Sequence, residues 1–230
     1  MKNRLIYLCC VSFLYACSEK GPQPPSTPTL ISPINNENCS SGEVLSALES
    51  DVTFEWSSTK NTTSYQIEIV NLSNSIKTKI SYLEETSKII RLKRGHIYAW
   101  TVTAVNEELP EDPSISDNWR FYLKNNGDTN SPPFPTEPIF PSPGQTVVLD
   151  SSGKIVIEWD SSDVDNDQLT FDFFIAKESS FQNSDHIIEG LTSKSIELTL
   201  ESNQIYFWRV DVSDSNNKTF SQVFSFRTLR

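Results

Sequence analysis

Asp160, Asp163, Asp165 and Asp167 crowd the first nine residues of the segment WDSSDVDNDQLTFD, residues 159–172. Carboxylates at such short spacing are hard oxygen ligands of the kind Ca²⁺ takes. The spacing is not that of an EF-hand, whose glycine and closing glutamate are missing. Aspartate and asparagine also favour turns, because their side chains bond their own backbone. A calcium site and a solvated turn both stand as readings of these four residues. Other chemistry-bearing patterns are missing. His96 in KRGHIY and His186 in SDHIIEG have no second histidine or cysteine at metal-ligand spacing. There is no G-x-S-x-G elbow, and with 7 glycines no phosphate-cradling loop. The expectation is a protein that is not an enzyme and takes no cofactor. A small hydrolase is the catalytic alternative, and it would need a pocket with clustered carboxylates.

A second reactive group lies near the start of the chain. Lys2 and Arg4 precede the apolar run LIYLCCVSFLY, residues 5–15, which is too short to span a bilayer and reads as the core of a signal peptide. Leu14, Tyr15 and Ala16 then lead into Cys17. This resembles the bacterial lipobox, with Tyr15 bulkier than the usual residue at its place. The resemblance implies cleavage after Ala16, lipidation of the Cys17 thiol and acylation of the new amino terminus. Several acyl chains make a stable anchor, at ~0.8 kcal/mol per buried CH₂. Cys9 and Cys10 would leave with residues 1–16, and Cys17 would carry lipid. Only Cys39, in the loop NNENCSSGE, would remain, so no internal disulfide is available. A lone cysteine there reads as a small buried apolar side chain rather than a reactive thiol.

Charge narrows the partners. The chain carries a formal net charge of −11, and loss of residues 1–16 removes two cations and no acid, which takes it to −13. Such a surface repels phosphate backbones, so nucleic acid is not an expected partner. The acids are dispersed, as on an ordinary solvated surface.

The elements that must position these groups follow from hydrophobic patterning. VTFEW (52–56) matches IVIEW (155–159), and SYQIEI (64–69) matches TFDFFI (170–175). IYAWTVTAVN (97–106) matches IYFWRVDVSD (205–214), and NWRFYL (118–123) matches VFSFRT (223–228). Each is a short β-branched and aromatic run with period two, and none has helical periodicity. Alternation puts Val52, Phe54 and Trp56 on one face, and likewise Ile155, Ile157 and Trp159. An all-β fold is expected, with two tandem antiparallel β-sandwiches. Two proline-rich stretches divide the chain. SEKGPQPPSTPT, residues 18–29, favours extended conformations and reads as a tether. NNGDTNSPPFPTEPIFPSPG, residues 125–144, holds six prolines from Pro132 to Pro143 and reads as a linker running into the next strand. The expected organisation is a signal peptide at 1–16, a lipidated tether at 17–28, a sandwich at 29–124, a linker at 125–136 and a second sandwich at 137–230.

YAWTVTAVN is similar to the F strand of a fibronectin type III domain, where a tyrosine, alternating valines, an alanine and an asparagine recur. VTFEW resembles the B strand of that family, with its core tryptophan at Trp56. The second half keeps Tyr206, Trp208 and Trp159 and departs where Asp214 replaces the asparagine. These are core positions that other immunoglobulin-like sandwiches share. The resemblance implies binding, adhesion or spacing rather than catalysis, and no RGD tripeptide occurs.

One further pair bears on binding. Alternation turns Phe174 and Phe207 away from the core, where the first half has Glu68 and Ala99. Two outward phenylalanines on neighbouring strands read either as a contact patch for a partner or as cover for the junction between the halves. The functional expectation is a lipid-anchored envelope protein, held to the outer membrane of a diderm bacterium through Cys17. It would hold a protein or glycan partner at the surface, the alternative being a spacer with no ligand.

Overall fold

The structure is a computed structural model that describes residues 21–39, 43–125, 127, 130–181 and 186–230. Among these residues the chain is all-β, with no helix. In the first half the strands are β1 (Leu30–Ser32), β2 (Glu37–Asn38), β3 (Glu43–Val44), β4 (Glu49–Trp56), β5 (Ser64–Asn71), β6 (Lys77–Leu83), β7 (Ser87–Lys93), β8 (His96–Val105), β9 (Ser114–Ile115) and β10 (Trp119–Leu123). In the second they are β11 (Glu137–Phe140), β12 (Thr146–Val148), β13 (Lys154–Asp160), β14 (Thr170–Ala176), β15 (His186–Leu191), β16 (Ser195–Thr199), β17 (Ile205–Ser213), β18 (Lys218–Thr219) and β19 (Phe224–Leu229).

The strand order repeats. In the first half β4 is flanked by β1, β3 and β7, all antiparallel to it, and a larger sheet runs β2-β10-β8-β5-β6 with β9 on β8. In the second half β11-β13-β16 form one sheet, and the other runs β12-β19-β17-β14-β15 with β18 on β17. Pairing is antiparallel except for β2 on β10 and β12 on β19, which are parallel. A bulge interrupts the same place in each larger sheet, between Tyr65 and Ile67 and between Phe171 and Phe173. The left-handed residue in that bulge is Gly190 in the second half, where φ is 71°, and Tyr82 in the first, where φ is 61°. A tyrosine tolerates that conformation less readily than a glycine does.

The period-two faces meet in two cores, giving each half a β-sandwich-like character. Val52, Phe54 and Trp56 of β4 face Tyr65, Ile67 and Ile69 of β5, Tyr98, Trp100 and Val102 of β8, and Phe121 of β10. Ile155, Ile157 and Trp159 of β13 face Phe171, Phe173 and Ile175 of β14, and Tyr206, Trp208, Val210 and Val212 of β17. The ring of Phe54 stands 5.0 Å from that of Trp100, and Phe173 stacks on Trp159 at 5.8 Å. The indole N–H groups of Trp56, Trp100, Trp159 and Trp208 are buried without hydrogen-bond partners, so shape and ring contact hold these side chains. Cys39 is buried in the first core. The corner before the long central strand is fastened alike in both halves: Tyr98 Oη donates to Lys93 O at 2.8 Å, and Tyr206 Oη accepts from Glu201 N at 3.1 Å.

Described parts of the expected tether and linker pack against the folded halves. Pro25 and Pro28 of the expected tether are buried against the first half. Ser26 N donates to Lys60 O, Asn106 Nδ2 to Gln23 O and Ser114 Oγ to Pro25 O. In the expected linker, Ser131, Phe134 and Thr136 are buried.

Candidate functional site

The four aspartates do not converge. Asp160 reaches outward from the end of β13 to Lys194 Nζ at 2.6 Å. Asp163 turns inward: its Oδ1 accepts Asp165 N at 2.7 Å and Asp167 N at 3.4 Å, which closes the turn. Its Oδ2 is buried without a hydrogen-bond partner, as is the neighbouring Ser162 Oγ. Burial, joined by the charges of Asp165 and Asp167, raises the Asp163 carboxyl above its ordinary value, against the pull of the two backbone donors. Asp165 Oδ2 accepts Ser131 N. A shallow cavity of about 430 Å³ lies beside the turn, between Ser162, Asp163, Asp167 and Lys194. Among the described residues no three histidine, cysteine, aspartate or glutamate side chains are grouped to hold a metal ion.

What the acidic turn does hold is the segment joining the halves. Phe134 N donates to Ser162 O at 2.9 Å, and Ser161 Oγ donates to Phe134 O at 2.6 Å. Thr136 Oγ1 donates to Val210 O at 2.7 Å and Thr219 Oγ1 to Pro133 O at 2.7 Å. These bonds fasten the segment to the second half. The first half grips it from the other side. Ile97 and Tyr122, on the outer face of the larger sheet, form a third apolar cluster with Phe134, and Leu72 and Val164 pack against it. Arg120, on the same outer face, lays its guanidinium over the Phe134 ring, donates through Nη1 to Pro135 O and through Nη2 to Asn36 Oδ1, and meets Glu137 at 3.4 Å. Burial lowers the Arg120 pKa from its ordinary value, with Glu137 and Asp160 acting the other way. These contacts were not legible in the sequence. Their one signal is a phenylalanine standing among prolines.

Phe174 and Phe207 lie on the outer face of the second half's larger sheet, both half-buried. They are not an open aromatic pair. Phe174 stands opposite Arg209 in the register, and that guanidinium sits 4.6 Å from the Phe174 centroid and 5.5 Å from that of Phe181. Beyond Arg209 lies Asp211, 1 % exposed, a carboxylate that hydrophobic periodicity does not single out. Its Oδ1 accepts Ser221 N at 3.3 Å, and its Oδ2 lies 3.4 Å from Arg209 Nη2 without a hydrogen bond. Burial raises the Asp211 carboxyl above its ordinary value, against Arg209. Asp172 stands directly across from it. Burial acts on that carboxyl in the same direction, but Lys218 and the Gly190 amide outweigh it and hold Asp172 below its ordinary value.

Cys17 lies outside the described residues. Among the described residues no helix is long and apolar enough to cross a membrane. His96 and His186 sit in separate halves, His96 edge-on to Tyr98 and His186 exposed at the start of β15.

A second cavity, a cleft of about 680 Å³, lies where the halves meet. Its floor is the outer face of β5 and β8, with Glu68, Val70, Ala99 and Thr101. The start of β11 forms one wall and Phe220, Ser221 and Gln222 form the rim. No family model and no curated protein matches this chain.

Proposed function

We propose that this is a lipid-anchored, non-catalytic protein of the cell envelope, exported to the outer membrane of a diderm bacterium, whose two fibronectin III-like sandwiches hold a protein or glycan partner at the surface. The lipobox-like LYAC at residues 14–17 supports the anchor. The repeated strand order and the two tyrosine hydroxyls that tie back to backbone five residues upstream support the immunoglobulin-like type, in which such a tyrosine corner recurs. The observation that carries the functional reading is the burial of Ser131, Phe134 and Thr136 between the halves. A joint filled this way lets both halves present one surface at a set geometry, and pre-ordered surfaces bind at lower entropic cost.

The same stiff joint favours a second reading, a spacer with no ligand. Two measurements separate and test these. Labelled fatty acid should enter the parent and not Cys17→Ser; labelling of the variant would remove the anchor. The protein immobilised on beads should capture a specific component from envelope extract that survives salt washing, whereas no captured component would leave the spacer.

A further inference from the structure

We propose that the cleft between the halves is a binding site for a neutral oligosaccharide chain. This rests on the reading of the protein as a binding module and names the ligand class. The cleft, at about 680 Å³, falls within the ~300–1,000 Å³ range of ligand pockets, which concentrate where two structural units meet. Its chemistry narrows the occupant. Four charged residues line it, and they pair within the wall: Glu68 with Lys77 at 3.3 Å, and Arg120 with Glu137 at 3.4 Å. A charged ligand would have to break a pair, and the buried Arg120 would then lose part of its compensation. An anionic polymer would in addition meet a chain of net charge −11. The occupant is therefore neutral.

An extended peptide is disfavoured by the sheet. Strand β8 lies between β5 and β10, so the floor offers side chains and no free row of backbone donors and acceptors. What the cleft offers is an aromatic ring and unengaged amides. Phe220 is 65 % exposed at the rim, with Lys218 Nζ over its ring at 5.7 Å from the centroid. Asn118 and Gln222 are exposed, and their side-chain amides make no hydrogen bond among the described residues. A sugar ring has this complement: a C–H face for the aromatic ring, and hydroxyls that both donate and accept at the amides. Val70 and Ala99 give the floor an apolar patch for the same C–H surface.

The test is affinity electrophoresis of the full-length protein in detergent, in native gels cast with one polysaccharide each. Starch, dextran, xylan, glucomannan and hydroxyethyl cellulose are the neutral probes, and alginate and polygalacturonate the anionic ones. At least one neutral polymer should retard the protein. Phe220→Ala with Gln222→Ala should weaken that binding about tenfold or more, the scale of losing an aromatic anchor, and leave the melting temperature unchanged. Retardation by none of the neutral polymers, retardation by anionic polymers alone, or binding indifferent to the double substitution overturns the site. If the gels fail while the beads still capture an envelope protein, the binding-module reading survives and the glycan cleft does not.

Discussion

The guanidinium carbon of Arg120 stands 5.3 Å from the centroid of the Phe134 ring, with the arginine on β10 of the first half and the phenylalanine on the segment entering the second. The ring is fully buried, its backbone is tied to Ser161 and Ser162, and Ile97 and Tyr122 close over it. Truncating a buried phenylalanine costs ~3–5 kcal/mol. Phe134→Ala should therefore separate one calorimetric transition into two, because the cavity lies between the cores and not inside either. An unchanged single transition would mean that the Phe134 ring is not what couples the halves.

Trp159 is fully buried against Phe171 and Phe173. Trp159→Ala should destabilise the protein by ~3–5 kcal/mol and move the shared transition to lower temperature. A variant as stable as the parent by urea titration would contradict the placement of this side chain.

The strands that build these cores were legible because a half-buried strand writes its face at every second residue, as in Val52, Phe54 and Trp56. The short strands β2, β3, β9, β12 and β18 were not, since two or three residues cannot display a period. Proline-rich composition marks 125–136 as a linker, but composition does not say what such a segment lies against. Phe134 is buried because Arg120, Ile97 and Tyr122 face outward from a sheet 11 or more residues away in sequence. The same limit applies to Pro25 and Pro28. Phe174 was correctly turned outward by alternation, yet its cover, Arg209, follows only from the register that sets the two opposite each other.

Asp211 gives the stability a pH dependence of definite sign. Burial holds its folded carboxyl above the ordinary value of 3.8. Between that value and the raised one the folded state binds more protons than the unfolded chain. The group's stabilising contribution is present below 3.8 and is lost as pH rises through the raised value. Asp211→Asn lacks this dependence. The stability difference, parent minus variant, should fall with rising pH across that window and flatten above it. A difference that rises across the window, measured by denaturant titration at a series of pH values, would contradict the buried carboxyl.

The acidic turn makes a further prediction. Asp163 spends Oδ1 on two backbone amides, Asp165 spends Oδ2 on Ser131 and Asp160 is paired with Lys194. A Ca²⁺ ion at a hundredfold excess over its Kd would add about 2.7 kcal/mol. Millimolar Ca²⁺ should leave the melting temperature unchanged. An upward shift that vanishes in Asp163→Asn with Asp165→Asn would make these residues a calcium site.

Burial of the segment between the halves should make them move as one rigid body. The direct measurement is a distance distribution between spin labels on Lys88→Cys, exposed on β7, and Glu197→Cys, exposed on β16, with the remaining cysteines changed to serine. One narrow distribution is predicted for the parent, broadening when Phe134→Gly and Arg120→Ala remove the plug and its clamp. A broad distribution in the parent would contradict the account.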